Sequence, residues 1–278
     1  MKATWLRRSH LLLVSALLTT FLLACASNQI TGRRQLIIIP ESVAINQSAP
    51  AFLQMMEPVA AEGRLDTPAE MAARVKRITS HLVAQAVEFR PDTKDWQWEM
   101  RLIDDRQMIN AFAMAGGRMA VYSGIIVQLE LSDDELAQII GHEIAHALLN
   151  HTAERMSVAL ATNASVGALG MIFEEQPLAV QGASLAALAA ITLPNSRTSE
   201  AEADVVGVEL AARAGYHPAA AISLWQKMEQ ASDNRMPQFL STHPSPANRQ
   251  QGLAQLQPQM LPLYEQAVTQ PRASWPVR

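Results

Sequence analysis

The sequence predicts an α+β fold that is mostly helical, with a small β-sheet. Three observations carry this. Apolar residues recur at helical spacing over several long segments. One short region alternates in the strand pattern around a Gly-Gly turn. A serine-capped stretch of unbroken helical pattern follows it. The 278 residues, 49% hydrophobic and 17% charged, suffice for one sizeable core and a small appendage. The net charge of −4, with no long basic run or aromatic-basic stripe, argues against nucleic acid as a partner. No internal repeat is visible, so no helical-repeat array is expected.

The first 24 residues read as a leader to be set aside from the fold. Lys2, Arg7 and Arg8 form a basic start, and Leu11 to Leu23 a largely apolar stretch, shorter than the roughly 20 residues a membrane-spanning helix needs. It ends in Leu22-Leu23-Ala24-Cys25, a pattern that resembles a bacterial lipobox, with cleavage before Cys25 and acylation of its thiol and new amine. Leu23 is a slightly unusual residue at its position. Cys25 is the single cysteine of the chain, so an internal disulfide is excluded. Ala26 rather than Asp follows it, which by resemblance to lipoprotein sorting points to the outer membrane of a Gram-negative cell. Three of the 22 Lys and Arg fall in the leader and none of the 26 acids, so the remainder carries −7. That charge suits a body held at a membrane by lipid rather than by attraction to anionic headgroups.

Residues 25–56 read as a lipidated tether and lead-in, 57–266 as the main domain and 267–278 as a tail. Thr31-Gly32-Arg33-Arg34 reads as a turn, and Gln35 to Ile39 as a short strand ending at Pro40. Met71, Val75, Ile78, Leu82 and Val83 place a helix from Pro68 to about Val87, capped by Asp66 or Thr67. Trp98, Met100 and Leu102 alternate with Glu99 and Arg101 as a strand, and Asn110–Met114 and Arg118–Tyr122 flank a hairpin turn at Ala115-Gly116-Gly117. A short helix follows Ser123. Ser132 with Glu135 forms a capping box, from which a helix is expected to run from Asp133 to about Ser157. The Ala-, Gly- and Leu-rich residues 158–193 are broken by polar residues and read as small-residue helices on the core or as a lid. Further helices are expected from Thr198 to Arg213, ended by Gly215, and from Pro218 to about Gln230.

The capped helix contains Gly141-His142-Glu143-Ile144-Ala145-His146, an H-E-x-x-H. Residues four apart share a helix face, so both imidazoles can reach one Zn²⁺, and Glu143 beside them can take a proton from water. A catalytic zinc site needs a third protein ligand. His151, nine residues beyond His142 on the same expected helix, should point about 180° away, as a structural or surface residue. His217 reads as a turn residue, His81 lies on an unrelated helix, and His10 is in the leader. Glu200 and Asp204 share a face; either can ligate while the other orients a ligand histidine. Glu202 should face elsewhere. His243, in Ser241-Thr242-His243-Pro244, reads as a loop histidine.

Five segments in order resemble the gluzincin family of zinc metallopeptidases that includes the CAAX prenyl protease, HtpX and the periplasmic members BepA, LoiP and YcaL. They are Thr31–Leu36, Asn110-Ala111-Phe112 with the Gly116-Gly117 turn, His142–His146, Ser196-Arg197 through Asp204, and Thr242-His243-Pro244. Size and lipobox are most similar to the lipoprotein members. The resemblance implies a zincin-like domain with one Zn²⁺ per chain on His142, His146 and Glu200, Asp204 orienting a ligand, and Glu143 as general base. It implies that the strand carrying Asn110 and Ala111 pairs with extended substrate backbone. It gives His243 one of two roles: donor to a tetrahedral oxyanion, or occupant of the fourth metal position. The expected function is endopeptidase action on unfolded or misassembled envelope proteins, with outer-membrane proteins or their assembly machinery as partners. The alternatives are a chaperone-like binding module with a latent or structural zinc, and a hydrolase of cell-wall peptides.

Overall fold

The computed structural model describes residues 25–172, 196–232, 237–244 and 248–278. The leader, Leu22–Ala24 included, and residues 173–195 of the small-residue segment lie outside the described residues. Strand β1 (Cys25–Ser27) pairs antiparallel with β2 (Arg34–Leu36). This strand pair replaces the longer single strand expected over Gln35–Ile39. The lead-in is largely helical: α1 (Glu41–Ala61) crosses residue 56 and buries Ala44, Phe52 and Met56. Phe52 meets Phe112 of the sheet edge-on, with ring centroids 6.4 Å apart. Helix α2 (Ala69–Phe89) buries Val75, Ile78, Leu82, Val83 and Ala86, the stripe that periodicity marks, with Pro68 as its N-cap rather than its first helical residue.

The three-stranded sheet has the order β3 (Glu99–Ile103), β5 (Arg118–Tyr122), β4 (Ala111–Met114). β5 lies in the middle, parallel to β3 and antiparallel to β4. Gly116 and Gly117 turn the β4–β5 hairpin at φ 84° and 82°, a region side chains resist. The outer edge of β3 is covered. Arg278 exchanges backbone hydrogen bonds with Trp98 and Met100, and Arg64 and Asp66 bond Asp104 and Leu102. The tail thus closes one edge, and Trp275 of the tail is bonded to Ser80 of α2. Among the described residues no strand pairs with the other edge, β4, which faces the H-E-x-x-H helix.

After the short helix α3 (Ser123–Gln128) comes α4 (Asp133–Leu148), which opens on the expected capping box. Ser132 Oγ accepts from Glu135 N–H at 3.2 Å, and Glu135 Oε2 accepts from Ser132 N–H at 2.9 Å. It does not continue to Ser157. Asn150 takes a left-handed φ of 59°, ending the helix, and α5 (His151–Ile172) sets off in a new direction. The orphan carbonyls at the break are satisfied from outside the helix: Arg90 Nη1 donates to Leu148 C=O, and Asn28 and Gln35 side chains donate to Leu149 C=O.

A helix over residues 196–213, α6, ends as expected. Tyr216 N–H bonds Ala211 C=O and Gly215 sits at φ 77°. It crosses α4 at two glycines. A Cβ on Gly141 would lie 2.7 Å from Gly207 C=O, and one on Gly207 would lie 2.8 Å from the backbone of His142. Helix α7 (Ala220–Ser232), the short α8 (Gln238–Thr242) and α9 (Arg249–Ala267) pack over this crossing. The stretch read as loop around His243 therefore contains a helical turn, with His243 as its C-cap. Among the described residues no helix is long and apolar enough to cross a membrane.

Candidate metal centre

The 3.6-residue period of α4 stacks His142 and His146, with Nε2 atoms 3.0 Å apart. The close α4–α6 crossing brings Glu200 against both: its Oε2 is 3.2 Å from His142 Nε2, and its Oε1 is 3.3 Å from His146 Nε2. His243 arrives from the end of α8. Its Nδ1 is 3.3 Å from His142 Nε2 and 3.2 Å from both Glu200 oxygens. These four donors all lie within 4.8 Å of one another and all four residues are buried, so the set can hold a metal ion.

The partners outside this set fix which nitrogens face inward. His142 Nδ1 lies 3.1 Å from Asp204 Oδ1, and Arg249 Nη2 holds that oxygen at 2.6 Å. His142 therefore donates outward from Nδ1 and turns its Nε2 toward the cluster. His146 Nδ1 lies 2.8 Å from His151 Nδ1. The expectation that His151 turns away fails because α4 breaks at Asn150, which swings His151 back beneath His146. Glu202 points away from the four-donor cluster, as expected, and its Oε2 lies 3.2 Å from His151 Nε2. Periodicity assumed one continuous helix, and the Asn after Leu149 is the signal that marks its end.

Three imidazoles and a carboxylate packed at about 3 Å are held together by shared protons or by a bound cation. Burial lowers the His142 pKa, yet Asp204 and Glu200 outweigh it and raise it to about 9. Burial, with the neighbouring His142 and His151, holds His146 well below its ordinary value. Burial opposes ionisation of Glu200, but the three histidines keep its pKa far below the carboxylate range.

Glu143 bridges this cluster and the open sheet edge. Its Oε2 accepts from Ala113 N–H of β4 at 3.0 Å. Its Oε1 has no hydrogen-bond partner and lies 3.3 Å from His243 Nε2. Burial pushes its pKa up. Tyr122 N–H bonds Asn110 C=O, so in antiparallel register Phe112 pairs with β5 while Ala111 and Ala113 turn their backbone groups to the free edge. Ile109 C=O on that edge accepts from Phe239 N–H of α8. Asn110 Oδ1 is buried without a partner. Cys25, at the start of β1, is the cross-strand partner of Leu36, far in sequence from the cluster.

The chain resembles known peptidases over much of its length. It is 33% identical to the mitochondrial metalloendopeptidase OMA1 of Bos taurus and of Homo sapiens over 254 residues, covering 85% of this chain and 46% of each relative. It is 33% identical to the metalloprotease LoiP of Escherichia coli over 149 residues, 51% of this chain and 56% of LoiP. The chain thus spans about half the length of these relatives. The model of peptidase family M48 matches residues 69–257, a span that runs from α2 into α9 and takes in the sheet, both ligand-bearing helices and His243. The chain belongs to peptidase family M48.

Proposed function

We propose that the protein is a zinc-dependent endopeptidase acting on unfolded or misassembled envelope proteins, held at the outer membrane by lipid on Cys25 and facing the periplasm. The observation that carries the hydrolytic reading is the placement of Glu143. One carboxylate oxygen is anchored to the sheet edge and the other is unsatisfied beside four converging donors. A binding module with structural zinc has no use for such a carboxylate.

The donor set fits zinc. Four ligands at about 2.0–2.1 Å from a tetrahedral centre stand about 3.3–3.4 Å apart, and five of the six pairs lie 3.0 to 3.3 Å apart, with all four donors within 4.8 Å of one another. A zinc ion there supplies polarisation of the scissile carbonyl and acidification of a water. His142, His146 and Glu200 are the permanent ligands in this reading, and Asp204 keeps His142 in the right tautomer. Glu143 takes the water proton on Oε1 and delivers it to the leaving amine. The outward backbone groups of Ala111 and the C=O of Ala113 are placed to pair with an extended peptide, with Asn110 at the start of the track, while Ala113 N–H is held by Glu143. Such pairing selects unfolded backbone over any one sequence. In this reading His243 would compete with water for the fourth position and keep the basal activity of the resting protein low.

The envelope assignment draws on the leader pattern, on Cys25 as the single cysteine, and on similarity to LoiP of Escherichia coli. Outer-membrane proteins or their assembly machinery are the partners this location offers. The test compares cleavage of casein by wild type and by Glu143→Gln, with zinc content measured in both. Cleavage by wild type and its loss in the zinc-loaded variant support the proposal. Equal behaviour with zinc bound favours the binding module, and digestion of peptidoglycan but not casein favours the cell-wall hydrolase.

A further inference from the structure

The Thr31-Gly32-Arg33-Arg34-Gln35-Leu36 segment has no part in the proposed reaction, yet it is wired to the metal centre. We infer that the β1–β2 hairpin and His151 form a positioning relay that holds the ligand His146. The links are continuous. His146 Nδ1 is 2.8 Å from His151 Nδ1, and His151 Nε2 is 3.2 Å from Glu202 Oε2. Glu202 is gripped by the hairpin on both oxygens: Thr31 Oγ1 donates to Oε1 and Arg33 Nε to Oε2, each at 2.6 Å. Arg33 is itself fixed by a two-pronged pair with the buried Glu154, at 2.7 and 2.6 Å, and Gln35 Nε2 donates to Glu154 as well. Asn28 and Gln35 dock the hairpin on the Leu149 carbonyl at the end of the H-E-x-x-H helix.

One assignment of protons satisfies every link. A bare His146 Nε2 puts the proton on Nδ1, which donates to His151 Nδ1. His151 then carries its own proton on Nε2 and donates it to Glu202. Moving the His151 proton to Nδ1 sets two N–H groups against each other at 2.8 Å and leaves a bare nitrogen facing a carboxylate. The hairpin thereby fixes the tautomer and tilt of His146 through two intervening side chains. His142 is held by a shorter version of the same device, with Asp204 as the carboxylate and Arg249 as the cation. Both carboxylates come from helix 196–213, as does Glu200. One helix therefore supplies a ligand and the orienting acid for each ligand histidine.

The inference rests on the metal assignment above, and the test separates the two. Zinc dissociation constants are measured by chelator competition on the full chain for His151→Phe, Glu202→Gln, His151→Asn and Glu200→Ala, with melting of each metal-free protein as a control. The relay predicts that His151→Phe and Glu202→Gln weaken zinc binding by about ten- to hundredfold. His151→Asn, whose side-chain oxygen can still accept from His146, recovers part of the loss. A merely structural role lowers metal-free stability and leaves the zinc affinity of the folded protein unchanged. Wild-type affinity in His151→Phe and Glu202→Gln, with zinc lost in Glu200→Ala, overturns the relay alone. Wild-type affinity in Glu200→Ala overturns the metal assignment and the relay with it. If His151→Phe does not fold, the isosteric Glu202→Gln decides.

Discussion

At the scale of single residues, spacing in the sequence made the two histidines legible, and register between distant segments made the rest. His142 and His146 share a face of one helix, which four-residue spacing states directly. Glu200 and Asp204 were equally good candidates by spacing; the structure separates them, with Glu200 against both histidine Nε2 atoms and Asp204 on the far side of His142. His151 was misread because a single left-handed Asn150 redirects the chain, while Glu202 turns away from the donor cluster as its spacing from Glu200 implies. His243 is the residue whose role geometry sharpens most. Its ring stacks on the buried Phe239 at 4.4 Å, and Phe239 N–H is bonded to the sheet edge at Ile109, so the segment sits over both the donor cluster and the strand. His243→Ala is therefore expected to raise basal peptide turnover by opening the fourth position. A fall of about a hundredfold or more would instead assign His243 as oxyanion donor, and unchanged turnover would leave it with neither role.

At the scale of elements, the capping box, the Gly-Gly hairpin and the helix ended by Gly215 were all readable, since each depends on chemistry within a few residues. The break at Leu149–Asn150 was not read although Asn150 marks it, and the β1–β2 pairing is too short to show as a strand pattern; long-range contacts, such as Asn28 with Leu149, dock that hairpin on the break. The glycine pair at the α4–α6 crossing belongs with these. A helical Gly→Ala change ordinarily stabilises by about 0.5–1 kcal/mol. At Gly207 the added Cβ would meet His142 backbone at 2.8 Å, where neither helix can yield cheaply. Forced overpacking costs about 1–3 kcal/mol, so the clash outweighs the propensity gain. Gly207→Ala should unfold at lower urea concentration than wild type and bind zinc more weakly. A more stable Gly207→Ala protein with normal zinc binding would show that the helices are not pinned there.

At the scale of the whole molecule, covering one sheet edge and opening the other sets the direction of approach. The tail and residues 64–66 close β3, so β4, beside Glu143, is the edge on which the proposed pairing with an extended peptide would occur. The N-terminal hairpin brings Cys25 to the start of the folded body with no long linker between, so a lipid on Cys25 would hold the body close to the membrane. Cys25→Ser should leave an unprocessed or mislocalised precursor. Palmitate labelling and outer-membrane fractionation of that variant equal to wild type would remove the anchoring proposal. The central claim is that one bound zinc makes this fold a peptidase. Its most direct test is titration of chelator-stripped protein with zinc while casein cleavage is followed. The account predicts no cleavage without metal and a rise that saturates at one zinc per chain. Cleavage that persists in the stripped protein, or none at full zinc occupancy even in His243→Ala, would contradict it.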